Sequence, residues 1–105
     1  MTEDRHVSIS AHGETLAEAT ISAPDDDGTA RVDVHTEPGH LPVGARKRLT
    51  DAIHDVVTAD DVERISATVP MGDAELVEGI RDHLTDVELR AAGATSIVTG
   101  EVSDD

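Results

Sequence analysis

The sequence predicts an α+β domain: a mixed sheet of about six strands with two helices packed on it, in the order β-β-β-α-β-α-β-β. Three observations carry that expectation. Apolar residues alternate with period two in six stretches, they recur with helical spacing in two others, and Gly, Pro and Asp punctuate the boundaries. The 105 residues suit one domain, with an ordered core at about 5–102.

Residues 5–12 alternate strictly: Val7, Ile9 and Ala11 on one face, His6, Ser8, Ser10 and His12 on the other. This is the pattern of a half-buried strand. His12, Gly13 and Glu14 turn the chain, and residues 15–23 alternate again through Ala17, Ala19, Ile21 and Ala23. Pro24, three aspartates and Gly28 form a hairpin turn, in which Gly28 supplies a positive φ. Residues 29–36 make the third strand, with Ala30, Val32 and Val34 inward and Arg31, Asp33 and His35 outward. Residues 37–41 break the pattern.

Pro42 suits the first turn of a helix. Ala45, Leu49, Ala52, Ile53, Val56 and Val57 then form the clearest helical stripe, ending near residues 58–61. Ile65, Ala67 and Val69 mark a strand over 62–69, closed by Pro70, Met71 and Gly72. Asp73 is an N-cap. Leu76, Val77, Ile80 and Leu84 follow at helical spacing, Val87, Leu89 and Ala91 at strand spacing. Gly93 turns the chain into a last strand over 94–102, and residues 103–105 form a solvated tail. Three strands should meander antiparallel, after which the helices act as crossovers.

Twenty-three acids against eight bases give a formal net charge of −15, and there is no Cys, Phe, Tyr or Trp. The acid excess argues against nucleic acid, whose phosphates require a basic surface, and against anionic membranes. The missing cysteines exclude disulfides and thiolate chemistry. No stretch approaches the ~20 apolar residues of a membrane span, and the first residues lack a signal-peptide pattern. The expected location is therefore the cytoplasm. Fourteen Asp outnumber nine Glu, and Lys47 is the one lysine beside seven arginines. Such a composition looks like that of a salt-adapted protein from a halophile's cytosol, because at ~1 M salt the Debye length of about 3 Å silences acid repulsion. A core without aromatic rings should be thin, which favours support from a partner subunit.

Arg46, Lys47 and Arg48 hold three of the eight bases and sit in a helix's first turn, where the helix dipole prefers acids. A bound phosphate or carboxylate would reverse that mismatch; pairing with Asp51 and Asp55 along the helix would also relieve it. Gly44, Arg46, Lys47 and Arg48, with His35 beside them as a candidate base, are the candidate ligand-binding residues. The six histidines show no zinc-ligand spacing. Residues 25–28 lack the spacing of a Ca²⁺ loop and read as a turn, so no metal is expected. His54 and His83 fall at the flanks of the helical stripes.

The element order, with its loop-to-helix turn after the third strand, resembles the core of the GCN5-related N-acetyltransferases. In that family a loop of the type Arg/Gln-x-x-Gly-x-Gly/Ala holds the acetyl-CoA pyrophosphate on backbone N–H groups at a helix start. The corresponding residues here are Leu41, Pro42, Val43, Gly44, Ala45 and Arg46, with Gly44 at the middle glycine. Asp73 falls near the family's helix-starting Asn, and Ile80 near its general-acid Tyr. The resemblance implies a shared architecture and acetyl-CoA as a ligand near residues 44–48.

With no acid, base or intact cofactor loop evident, the sequence points first to a non-catalytic module without a cofactor. Its partner would be a second copy, as a homodimer, or another protein, paired through an open sheet edge. The alternative is an N-acyltransferase-like protein, or its remnant, that binds acyl-CoA or another phosphorylated ligand. That alternative predicts a cleft where the parallel strands 29–36 and 62–69 splay apart.

Overall fold

A computed structural model describes residues 4–11, 13–36 and 41–103. His12, residues 37–40 and the end of the expected tail lie outside the described residues. Six strands and two helices follow in the expected order: β1 (Arg5–Ala11), β2 (Glu14–Ile21), β3 (Thr29–Thr36), α1 (Ala45–Ala59), β4 (Arg64–Pro70), α2 (Ala74–Arg81), β5 (Leu84–Ala92) and β6 (Thr95–Val102). They form one sheet in the order β1-β2-β3-β4-β6-β5. Every neighbouring pair is antiparallel except β3 and β4.

The alternation sorts the sheet into a dry face and a wet face. Ala17, Ala19, Ile21, Ala30, Val32, Ile65, Ala67, Val69 and Val98 are buried on one side. Leu49, Ile53 and Val57 of α1 and Leu76 and Ile80 of α2 join them in the same core. Both helices therefore cover that one face and pack against each other. The other face, with Ser8, Thr20, Arg31, Asp33 and His35, is left to water, as antiparallel sheets permit.

Local chemistry sets the boundaries. In the β2–β3 turn the Asp25 carboxylate accepts from the N–H groups of Asp27 (2.9 Å) and Thr29 (3.1 Å), and Gly28 has φ 79°. β2 stops at Ile21, short of the expected Ala23. Ser22 continues the pairing in its own way: its N–H donates to the Arg31 carbonyl, and its hydroxyl accepts from the Arg31 N–H, each at 2.8 Å. α1 ends where Asp61 adopts φ 56°, with the N–H of Val62 donating to the Val57 carbonyl (2.9 Å) and that of Asp61 to Thr58 (3.3 Å). This is the αL closure usually given to glycine.

One boundary departs from expectation. Leu84 continues the apolar spacing of α2, yet it opens β5. α2 stops at Arg81 because the chain tightens there: the N–H of His83 bonds the Ile80 carbonyl at 3.1 Å, and the N–H of Ser103 bonds the His83 carbonyl, drawing the chain onto the sheet. Leu84 keeps helical spacing from Ile80 and is out of step with Val87, Leu89 and Ala91, so periodicity assigned it to the helix; the register shift between Thr85 and Glu88 is what lets it open the strand.

Candidate functional site

The site is built where the two parallel strands part. β3 and β4 pair from Thr29–Arg64 to Asp33–Thr68. Beyond that point Val34, His35 and Thr36 stay with β2, while Val69 and Pro70 stay with β6. The carboxyl ends of the two strands thus fork, which is where open sheets take ligands. On the helix side Val34 and Val69 belong to the core. His35 and Pro70 stand on the wet side, His35 exposed and opposite Glu18 of β2.

Each forked strand feeds a helix, so the starts of α1 and α2 gather at the same end. α1 opens on Gly44, at φ 83°, with no side-chain cap and no acid in its first turn. The N–H of Ala45 reaches the Pro42 carbonyl (3.1 Å) and that of Arg48 reaches Gly44 (2.9 Å). Among the described residues no acceptor takes the N–H groups of Arg46 and Lys47. Among the described residues, a side chain at position 44 would meet nothing within 4 Å. Val43, fully exposed, and Met71, half exposed, flank this end as apolar surface.

The three bases diverge. The Arg46 Nε donates to both oxygens of Asp73, at 2.9 and 3.0 Å, and its guanidinium lies 3.5 Å from Glu75. Asp73 also caps α2, accepting from the Leu76 N–H at 3.1 Å. Arg46 is thereby a strut between the two helix starts. Lys47 bonds Asp51 at 2.9 Å, one turn along α1. Arg48 is exposed, with no ion pair among the described residues. It lies about 200° around the helix from Arg46. Of the five candidate residues, Gly44 and Arg48 face open space at the helix start, Arg46 and Lys47 are engaged with carboxylates, and His35 stands across the fork on the wet face.

A groove of about 400 Å³ runs between the helices, lined by Gly44, Lys47, Asp51, Glu78, Asp82 and His83. In it the Asp51 carboxylate accepts from Lys47 and meets the His83 Nε2 at 2.9 Å. The lysine first, and then the histidine, hold its carboxyl below the ordinary value of 3.8. His83 stacks on His54 with ring centres 4.2 Å apart, and the His54 Nδ1 is buried without a hydrogen-bond partner among the described residues. Sequence spacing placed both histidines at helix flanks; His54 is on α1, but His83 lies past the end of α2, in the link to β5, and the stacking across these elements was not foreseen. The excess of carboxylates makes this groove unwelcoming to phosphate. An anion at the start of α1 is better served on the Arg48 flank.

Ile80, at the position where the resemblance looks for a general acid, is buried against the sheet. No three His, Asp or Glu side chains among the described residues gather as a metal set. No helix among the described residues is long and apolar enough to cross a membrane.

No family model and no curated protein sequence matches the chain. Solved structures do. A putative acetyltransferase from Salmonella typhimurium, determined with its cofactor acetyl-CoA, superposes with TM-score 0.67 at 12% identity, over 97% of this chain and 65% of that one. A phosphinothricin acetyltransferase from Sinorhizobium meliloti, in complex with acetyl-CoA, gives 0.66 at 14% over 96% and 62%. The ribosomal-protein-S18-alanine N-acetyltransferase of Escherichia coli gives 0.66 at 12% over 98% and 72%. The chain thus spans 62–72% of the length of these structures. At such identities the likeness speaks for architecture, and the architecture is the core of the GCN5-related N-acetyltransferases.

Proposed function

We propose that this chain binds an acyl-CoA through the start of α1 and the β3–β4 fork, as a protein of the N-acyltransferase type. The observation that carries the reading is the open, uncapped start of α1 beside the fork. Unpartnered N–H groups at a helix start attract phosphate oxygens, and Arg48 adds a cation on the open flank. Val43 and Met71 offer apolar surface to the acyl arm. The similar structures determined with acetyl-CoA support the same ligand.

The bound thioester would supply an activated acyl group. His35 is this chain's candidate for taking the proton of an attacking amine as the amide forms and the C–S bond breaks; with Ile80 at the position the resemblance gives to the general acid, the departing CoA thiolate would take its proton from solvent. The earlier expectation of a cofactor-free module rested on missing signatures, and the fork and helix start favour the acyl-CoA alternative.

Calorimetric titration of the chain with acetyl-CoA and with CoA at ~2 M KCl, where acid repulsion is screened, tests the proposal. Saturable binding is expected, weakened about tenfold by Arg48→Glu, the scale of one charge-assisted contact. Absence of binding up to millimolar ligand refutes it. Thiol release with a panel of amines then separates transfer from binding alone, and loss of that release in His35→Ala with affinity unchanged would assign the base.

A further inference from the structure

We propose that the free edge of β5 pairs antiparallel with β5 of a second copy of this chain, centred on Leu89. The inference is independent of the acyl-CoA reading and rests on the far margin of the sheet.

β5 is the outermost strand on its side and bonds only β6. Ala92 and Thr95 close its hairpin around Gly93, at φ 62°, and Ala94. A two-residue hairpin closes on a hydrogen-bonded pair, and outward and inward backbone groups alternate from there. Ala92, Arg90 and Glu88 therefore turn their N–H and C=O groups to β6, while Leu89 and Ala91 turn theirs to the free edge. The flat stretch ends at a bulge, where Asp86 and Val87 together oppose Gly100, and Asp86 has φ 53°.

A two-fold axis at Leu89 brings its outward N–H and C=O against those of the partner's Leu89. The neighbours then cross: Glu88 meets the partner's Arg90, and Arg90 meets the partner's Glu88. These are non-hydrogen-bonded pairs, in which Cα atoms approach to about 4.5 Å and side chains interact most closely. Leu89 is 56% exposed, one of three large apolar side chains exposed among the described residues, and its partner's copy would cover it. Moving the axis to Ala91, the other outward residue, sets Arg90 against Ala92 and loses both charge pairs. The opposite margin is a poorer template: the register of β1 against β2 shifts between Ile9 and Ser10, and its Arg5 is spent on Asp60, just past the end of α1, 3.0 Å away.

Two chains of charge −15 repel at low salt, so the pair should form in concentrated KCl. Sedimentation velocity of the full chain at ~2 M KCl, over a concentration series, should give a dimer. Compared at the lowest KCl at which the parent still dimerises, so that screening does not mute the contact, Glu88→Arg and Arg90→Glu each set like charges across the axis and should weaken association about tenfold or more, while the double exchange E88R/R90E restores it. Both altered positions are exposed, and far-ultraviolet circular dichroism verifies folding. A monomer at every concentration overturns the proposal. So do single variants that associate like the parent, or a double exchange that stays dissociated.

Discussion

Asp73 joins two roles that the sequence shows separately. As an N-cap it could be named from its place before an apolar helical stripe; as the acceptor for Arg46 it could not, because the two are 27 positions apart and meet only through the fold. Asp73→Ala should destabilise the chain by about 1–3 kcal/mol, the cap together with a stranded guanidinium, read from urea denaturation. Asp61 presents the opposite case. Its φ of 56° suits glycine, so Asp61→Gly should raise stability by roughly 0.5–1 kcal/mol, seen as a higher denaturation midpoint. Asp51 is a pH marker. Its carboxyl is depressed by Lys47 and then His83, so its contribution is full above the ordinary 3.8 and fades as pH falls below that through the lowered value. In Asp51→Asn the stability should fall less steeply with acid over that range, measured by denaturation at a series of pH values.

At the scale of elements, the helices touch most closely where α2 carries Gly79. A Cβ there would lie 3.0 Å from both the methyl and the hydroxyl of Thr50. Thr50 is itself buried, and its hydroxyl donates to the Lys47 carbonyl, so it cannot swing aside. Gly79→Ala should therefore cost about 1 kcal/mol despite the better helix propensity of alanine. Thr50→Ala should relieve that cost in the double variant, an interaction that a double-mutant cycle measures. The type of every element was legible, because period-two and helical spacing differ over seven or more residues. The limits of α2 were not, since Leu84 continues the helical spacing and joins β5 only through the register shift between Thr85 and Glu88, which no period in the sequence announces. Gly100 likewise looked ordinary in sequence. Its missing side chain admits the Thr85 carbonyl, 3.0 Å from where a Cβ would sit, and so permits the bulge of β5.

For the whole molecule, element order alone reached the architecture, since short connections and crossover rules leave few ways to arrange three strands, a helix and the remainder. The splayed strands were legible for the same reason. The workings of the basic triplet were not: sequence grouped Arg46, Lys47 and Arg48 as one charge cluster, and the fold sends the first two to carboxylates of different elements. The acidic surface remains an argument about solvent. Raising KCl from ~0.1 to ~2 M should increase stability by a few kcal/mol through screening and strengthened apolar burial, followed as the shift in urea midpoint; an unchanged midpoint would count against salt adaptation. The kinks in β1 and β5 have one more effect. A ribbon with two equally inviting borders could add copies without end and grow into a fibre. Here one border is warped and the other offers only a short straight run, so in the proposed dimer joining would consume the welcoming side and growth would halt at the first union.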